Sequence, residues 1–471
     1  SFNNFIPMAD KSGEEPAIFN LNSNGIVTNR DTWVYNSSKQ LLCENIKSMI
    51  AFYNIETKNF KEAQKSNPKL EVEKFVSTDP TKIKWVQNLY RDSQNGLQLK
   101  FEESEIVKAL YRPYFKQHLY KQRNLIWSPY LQNKLFPKSN SQNLLICITG
   151  IAGTKDFTSL ITNCIPDIQL LANGQTFPLY YYEEHKKNSP TLFDEGRENE
   201  CIRRDGVSDF ILARVKKQYG KNVGKEDVFY YVYGILHSSE YRSAFANDLK
   251  KMLPRIPFLE DVRDFWKFSK AGHQLADLHI NYESVQPYEG VKVIGEESGF
   301  FRVEKMRFPK KGQHDTIIFN SRIIVSNIPE KAYEYIVNGK SAIEWIMERY
   351  AITIHKESGI KNDPNDWAEE VGNPRYILDL LLSIINVSVQ TVDIVNSLPK
   401  LVFETETDKE TDLQENDIVI AKVTFENIPV GAVGTVIHVY KNEAAYEIEF
   451  IKEDGSSIIE TALSTQIEKK L

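Results

Sequence analysis

The chain has 471 residues, 26% of them charged and 41% apolar, and its 58 Lys+Arg against 64 Asp+Glu leave a formal charge of −6. That length exceeds one ordinary core and predicts roughly two to four domains, while the composition excludes a disordered or collagen-like chain. The charge is uneven: residues 401–471 hold 6 Lys+Arg and 15 Asp+Glu, a local balance of −9, so residues 1–400 carry 52 against 49, or +3.

No apolar run approaches the roughly 18 residues that cross a bilayer, and the N-terminus lacks a charged-then-apolar leader pattern, so no membrane association is expected. Cys43, Cys147, Cys164 and Cys201 form no CxxC pair. They read as buried thiols of a cytoplasmic protein rather than as zinc ligands or a disulfide framework. The first residue is Ser1, not Met, and further parts are expected upstream.

Residues 1–40 read as loops and short strands, with turn signals at Lys11-Ser12-Gly13 and Asn24-Gly25. Within them SNGIVTNRDTWVYNSS (23–38) offers Asn29 and Arg30, whose side chains suit the edges of adenine and guanine. A competing reading pairs Arg30 with Asp31 and places Trp33 in the core. Helical patterns follow over about 39–65 and 83–89, and ESEIVKAL (103–110) predicts a short helix capped by Ser104.

Lys108 to Lys138 contains no acidic residue. Arg112, Lys116, Lys121 and Arg123, with Asn124, are candidate DNA contacts there. The interleaved Tyr111, Tyr114, Phe115, Tyr120 and Trp127 can pack beneath the cations or stack on an exposed base. A structural segment with core aromatics and solvated cations accounts for the same composition.

From Asn143 the short apolar runs LLICITGIAG, FTSLITNCI, IQLLANG and TFPLYYYEE predict a β-sheet. Pro166-Asp167 followed by Glu184-His185-Lys186 formally fits a PD…ExK metal-nuclease pattern. The spacing is loose enough to arise by chance, and no catalytic or metal residue is assigned from it.

Helices are expected over 207–218 and through 227–283, where Pro254 and Pro257 break the pattern before Phe265, Phe268, Leu275 and Leu278 resume one apolar face. Lys250, Lys251 and Arg255 could clamp a phosphate or simply complement a helix end. His273 and His279 do not share a helical face and read as structural. Residues 287–328 alternate like strands, with Lys310 and Lys311 on a Pro309–Gly312 turn that could enter a groove. Helical patterns return at 330–350 and 376–397. An acidic linker, ETETDKETDLQEND, then leads to DIVIAKV, GAVGTVIHVY, AAYEIEFI and SSIIETAL, which predict an SH3-like small barrel. The fold class expected is therefore α+β followed by a small all-β module. There is no GxxxxGK[ST] loop, no NPPY-like tetrapeptide and no glycine-rich cofactor loop, so neither a motor nor a methyltransferase centre is expected in this chain.

The phrases YGILHSSEYR, LKKMLPRIP and AGHQLADLHINYE, together with SNGIVTNRD, YRPY, SAIEWIMERY, SGIKNDPNDW and PRYILDLLLSIINVSVQT, closely resemble the C-terminal specificity region of Type ISP restriction-modification enzymes. In that family one polypeptide joins a nuclease, a helicase-like motor, an adenine methyltransferase and a target-recognition domain. The resemblance spans about residues 1–398. It implies a module that reads double-stranded DNA in phage defence and presents an adenine to a methyltransferase and helicase–nuclease portion, in cis or in trans. S-adenosylmethionine, ATP and Mg would then belong to upstream domains, with no cofactor in this chain. The expected division is 1–140 with the basic-aromatic segment, 141–285 as the specificity core, 286–398 with hairpins and closing helices, 399–416 as linker and 417–471 as the barrel. The barrel resembles a short bacterial domain of unknown role and departs from family members, which usually stop near Leu398. A rival expectation is a protein-interaction module derived from this region, with the acidic barrel docking a protein partner.

Overall fold

Ser38 begins the first long element: its Oγ accepts the Leu41 N–H at 3.1 Å and opens the helix Lys39–Ser66. Leu42, Ile46, Met49, Ile50, Tyr53 and Phe60 recur at helical spacing along its buried face. The computed structural model describes all residues except 185–200, 404–412, 427, 441–444, 453, 464–465 and 471. It contains two compact units, residues 4–400 with Phe2, and residues 401–471 with Ser1 and Asn3.

The helix expected at 103–110 is not formed. Glu103–Glu105 makes one 3-10 turn and Ile106–Arg112 is a strand, paired through the YRPY turn with Phe115–Tyr120. Tyr114 sits in this turn at φ +58. The turn returns a partner strand with alternating buried residues, and that cross-strand pairing outweighs the helical propensity of an eight-residue window. Tyr35–Asn36 pairs along the outer side of Phe115–Tyr120, and Ile165–Pro166 runs parallel to Ile106–Arg112, completing a four-stranded sheet. A second four-stranded sheet orders Ser23–Asn24, Gln175–Pro178, Leu145–Ile148 and Ser159–Thr162. Gly25 lets these sheets approach, since a Cβ there would lie 2.7 Å from the backbone of Asp167 and Ile168.

The helices Lys225–Leu236 and Val262–Ile280 pack at backbone contact. A Cβ on Gly272 would stand 1.8 Å from the Tyr230 carbonyl oxygen, and one on Gly234 2.4 Å from that of Phe268. Between them, Pro254 and Pro257 flank a strand, Arg255–Ile256, that pairs with Ile6–Pro7. The alternating run at 299–308 is largely irregular. The strands realised nearby are Lys292–Ile294, Ile324–Ser326 and Ile317–Ile318, in that spatial order. Helix Tyr376–Ser397 corrects the expectation about apolar runs, because it is long and apolar enough to cross a membrane by length and composition. Here 72% of its apolar window is buried, and Leu380, Leu381, Ile384 and Ile385 lie in the main core.

Residues 401–471 build their own core around Val419, Val436, Ile448, Phe450 and Ile467. Five antiparallel strands are ordered Ser457–Leu463, Ala445–Ile451, Val433–Tyr440, Ile418–Ala421 and Ile467–Lys469. The two edge strands do not pair among the described residues, so the sheet is present but the expected barrel closure is not. Residues 404–412 of the predicted acidic linker lie outside the described residues. The α+β class holds for the chain.

Candidate nucleic-acid interface

The hairpin of the basic-aromatic segment sorts its residues by strand alternation. On Phe115–Tyr120, Phe115 and Gln117 are buried while Lys116 and His118 face the other side. Lys108 lies directly opposite His118 in the register. Two cavities of about 590 and 750 Å³ share Lys39, Lys108 and His118 as wall residues. Lys116 and Lys138 line the first, Lys47 the second, so five lysines line these cavities, with Glu44, Glu103 and Glu370 also on the wall of the second.

Aromatic rings support those cations. Lys108 Nζ lies 5.6 Å from the Trp367 ring centre, and Lys47 Nζ lies 4.8 Å from that of Phe101. Lys39 pairs with Glu103 at 2.9 Å and Lys116 with Glu283 at 2.6 Å. His118 Nε2 is 2.8 Å from Glu370, and its pKa is lowered because burial outweighs that carboxylate. Lys108 and Lys138 are exposed and have no acidic partner within ion-pair distance among the described residues. Of the residues expected to contact DNA, Lys116 alone lines this groove. Lys39 and Lys47 escaped the sequence reading because the fold sets the helix Lys39–Ser66 beside the hairpin, whereas His118 is on the hairpin itself, within residues 108–138, whose lack of acidic residues pointed to the region.

Several expected contacts are committed elsewhere. Arg30 is 1% exposed, and its guanidinium has no hydrogen-bond partner among the described residues. It does not pair with Asp31, whose carboxylate accepts from Thr28 and from the Tyr111 hydroxyl. Burial pushes the Arg30 pKa down to about 10. Trp33 is in the core, as the competing reading had it. Arg112 is drawn inward to Asp167 at 3.1 Å, its guanidinium 4.0 Å from the Tyr111 ring centre. Arg255 donates to both Glu15 oxygens at 2.9 and 2.6 Å, which stitches the N-terminal segment to the Arg255–Ile256 strand. Asn124 donates to Asp92 at 2.9 Å. Arg112, Arg255 and Asn124 are thus taken up by partners in the frame, while Arg30 is buried with none, and sequence position does not reveal which charges or amides go this way.

The remaining candidates are at the surface but scattered. Asn29 is exposed at φ +55, and Lys121 is half-buried. Arg123 is exposed and donates to the Ile126 and Trp127 carbonyls, beside Trp127 and Tyr130, which are also exposed. Lys250 and Lys251 end the helix Ala246–Lys251, and Lys310 and Lys311 form an exposed turn closed by Gly312 at φ +82.

The nuclease-like pattern is not assembled. Asp167 is 3% exposed and saturated by Arg112, the Tyr35 hydroxyl at 2.9 Å and the Gln169 N–H, whereas Glu184 is exposed in another sheet. Lys186 lies outside the described residues. Burial and the neighbouring Asp31 raise the Asp167 pKa to about 6. His279 is structural: it bonds Tyr233 at 2.6 Å and Thr391 at 2.9 Å, and burial with Arg242 nearby lowers its pKa to about 3. Of the cysteines only Cys147 is fully buried, and all four are free.

An α+β frame that presents a lysine-lined groove, with no cluster of metal-ligating side chains among its described residues, has the makings of a polyanion-recognition module. Residues 17–380 match the Type ISP C-terminal specificity domain, and the chain belongs to that family. Residues 415–466 match a domain of unknown function, DUF4926. Three solved structures are similar over most of this chain. A nuclease-deletion mutant of the Type ISP restriction-modification enzyme LlaGI in complex with a DNA substrate mimic is 38% identical, covering 85% of this chain and 35% of that one, with a TM-score of 0.72. The ATP-dependent Type ISP restriction-modification enzyme LlaBIII bound to DNA is 34% identical over 86% of this chain and 24% of that one, at 0.75. A DrdV–DNA complex is 28% identical over 85% and 39%, at 0.69. The chain thus spans between a quarter and two fifths of those proteins. No curated protein matches it.

Proposed function

We propose that this chain is the double-stranded-DNA target-recognition part of a restriction-modification enzyme, and that it holds a site so that a methyltransferase portion can take up a target adenine. The observation that carries this reading is the groove of Lys39, Lys47, Lys108, Lys116 and Lys138, which lies within the residues matched to the specificity family. Cations set the register on phosphates while amides and guanidiniums read bases. Catalysis and its cofactors, S-adenosylmethionine, ATP and Mg, are assigned to other portions of the enzyme.

Selection from a randomised duplex pool at about 150 mM salt tests it, because non-specific phosphate binding is already weak there. One enriched motif is the expected result; no enrichment would refute the recognition role. Lys108→Ala and Lys138→Ala should each weaken binding evenly across sequences and lower the salt slope by about 1.

A second reading concerns residues 401–471. Their sheet exposes Ile451, Ile459 and Leu463 at 74%, 58% and 51%, beside Glu447 and Glu449 on the same face. That mixture of aliphatic and acidic groups suits a protein partner with an apolar, basic patch.

A further inference from the structure

We propose that a cavity on the opposite side of the hairpin from the lysine groove binds a single unstacked nucleobase carrying an amino group. The cavity measures about 380 Å³, within the range of about 300–1,000 Å³ usual for small-molecule sites. Tyr35, Tyr111 and Phe115 supply aromatic wall, and Asp31, Gln117 and Arg349 supply polar edges. Phe115 and Gln117 alternate with Lys116 and His118 along one strand, so this site and the groove lie on the two faces of the same sheet.

The polar groups are unevenly committed, and that is what points to a ligand. Asp31 already accepts from Thr28 and Tyr111, which fixes its carboxylate in place. Asn36 and Asn362 are likewise spent on the backbone of Lys361, Ser38 and Ser37. Gln117 is 4% exposed, yet its Oε1 has no hydrogen-bond partner, and Arg349 Nε is buried without one as well. Arg349 also makes no ion pair among the described residues, and burial and the nearby Arg112 lower its pKa. The guanidinium of Arg349 is otherwise only half-buried and lies 5.7 Å from the Trp345 ring centre. A buried carboxamide oxygen and a buried guanidinium N–H each cost free energy until something supplies their partners.

A nucleobase supplies both. Its exocyclic amino group donates to an acceptor such as Gln117 Oε1 or the Asp31 carboxylate. Its ring nitrogen or carbonyl accepts from Arg349, and its faces stack on the aromatic wall. Adenine, cytosine and guanine carry the amino group; thymine does not. The base can arrive as a free nucleotide or as a base turned out of a nucleic acid strand.

The test titrates the full chain with dAMP, dGMP, dCMP and TMP by calorimetry, and separately with duplexes carrying 2-aminopurine at successive positions, read by its fluorescence. Saturable binding of an amino-bearing nucleotide, weakened about tenfold or more in both Gln117→Leu and Arg349→Met, supports a free-nucleotide site. A 2-aminopurine signal that changes at one position in wild type, and no longer does so in Arg349→Met, supports a base drawn from DNA. Arg349 is only partly buried, so Arg349→Met keeps the fold, which circular dichroism verifies. Absence of both signals, binding untouched by either substitution, or equal binding of TMP would overturn the proposal. Duplex binding through the groove is scored independently with Lys108→Ala, so failure of this site leaves the DNA-recognition reading standing.

Discussion

Replacing Arg30 by Met should stabilise the protein. All three guanidinium nitrogens of Arg30 are buried without a partner, and the adjacent carboxylate, Asp31, is engaged by Thr28 and Tyr111. Each unsatisfied buried polar group costs about 1–3 kcal/mol, and exchanging buried charges for apolar groups of similar volume has gained about 1–4 kcal/mol. A gain of about 2 kcal/mol is the working figure for a single guanidinium. At about 2.1 cal/mol/K of unfolding entropy per residue, a unit of this size has roughly 0.8 kcal/mol/K, so Tm should rise by about 2–3 °C. Urea unfolding followed by tryptophan fluorescence gives the free energy directly, because Trp33 and Trp85 line the same small cavity as Arg30. Arg30→Lys should gain nothing, since it keeps the charge. A Met variant less stable than wild type by more than about 1 kcal/mol would refute the argument, and would mean that ordered water satisfies the guanidinium in solution.

Gly272→Ala should cost about 3 kcal/mol or more, because its Cβ would sit 1.8 Å from the Tyr230 carbonyl oxygen and neither helix can yield without losing its partner; chemical denaturation measures it. The folded pKa of Asp167, about 6, exceeds its ordinary value of 3.8, so the native state holds the extra proton between them. Stability from this group therefore falls as pH rises from about 4 to 6, by about 3 kcal/mol in all, and Asp167→Asn should remove that part of the slope. Deleting residues 401–471 should leave the circular dichroism and melting of the remaining unit unchanged, because the core spanning Ile26 to Val392 shares no residue with the one around Ile448. Unchanged duplex affinity in the same truncation is expected if the groove alone holds the DNA, and a marked rise would show that the acidic module masks it.

Much of this chain was legible before folding. The α+β class, the long helices at Lys39–Ser66 and Tyr376–Ser397, the break at Pro254 and Pro257, the separate C-terminal sheet and the family itself follow from local periodicity, turn residues and distinctive phrases. Such signals are written within a few neighbouring residues. The fate of individual charges was not legible, since that depends on what packs against them. Arg30 and Arg112 belong to promising motifs yet are taken into the interior, and Arg255 is tied to Glu15, 240 positions away. Lys39 and Lys47 drew no notice, yet the packing of their helix beside the hairpin gathers them with Lys138 around Lys108. The sequence by itself determined the long helices, the breaks between elements and what kind of protein they build, because backbone propensity and side-chain period act locally; at 103–112 the cross-strand partner decided instead. Only the tertiary structure decided which cations meet solvent, which are neutralised and which cavities stay open, because burial and charge pairing are set by residues far apart in the chain.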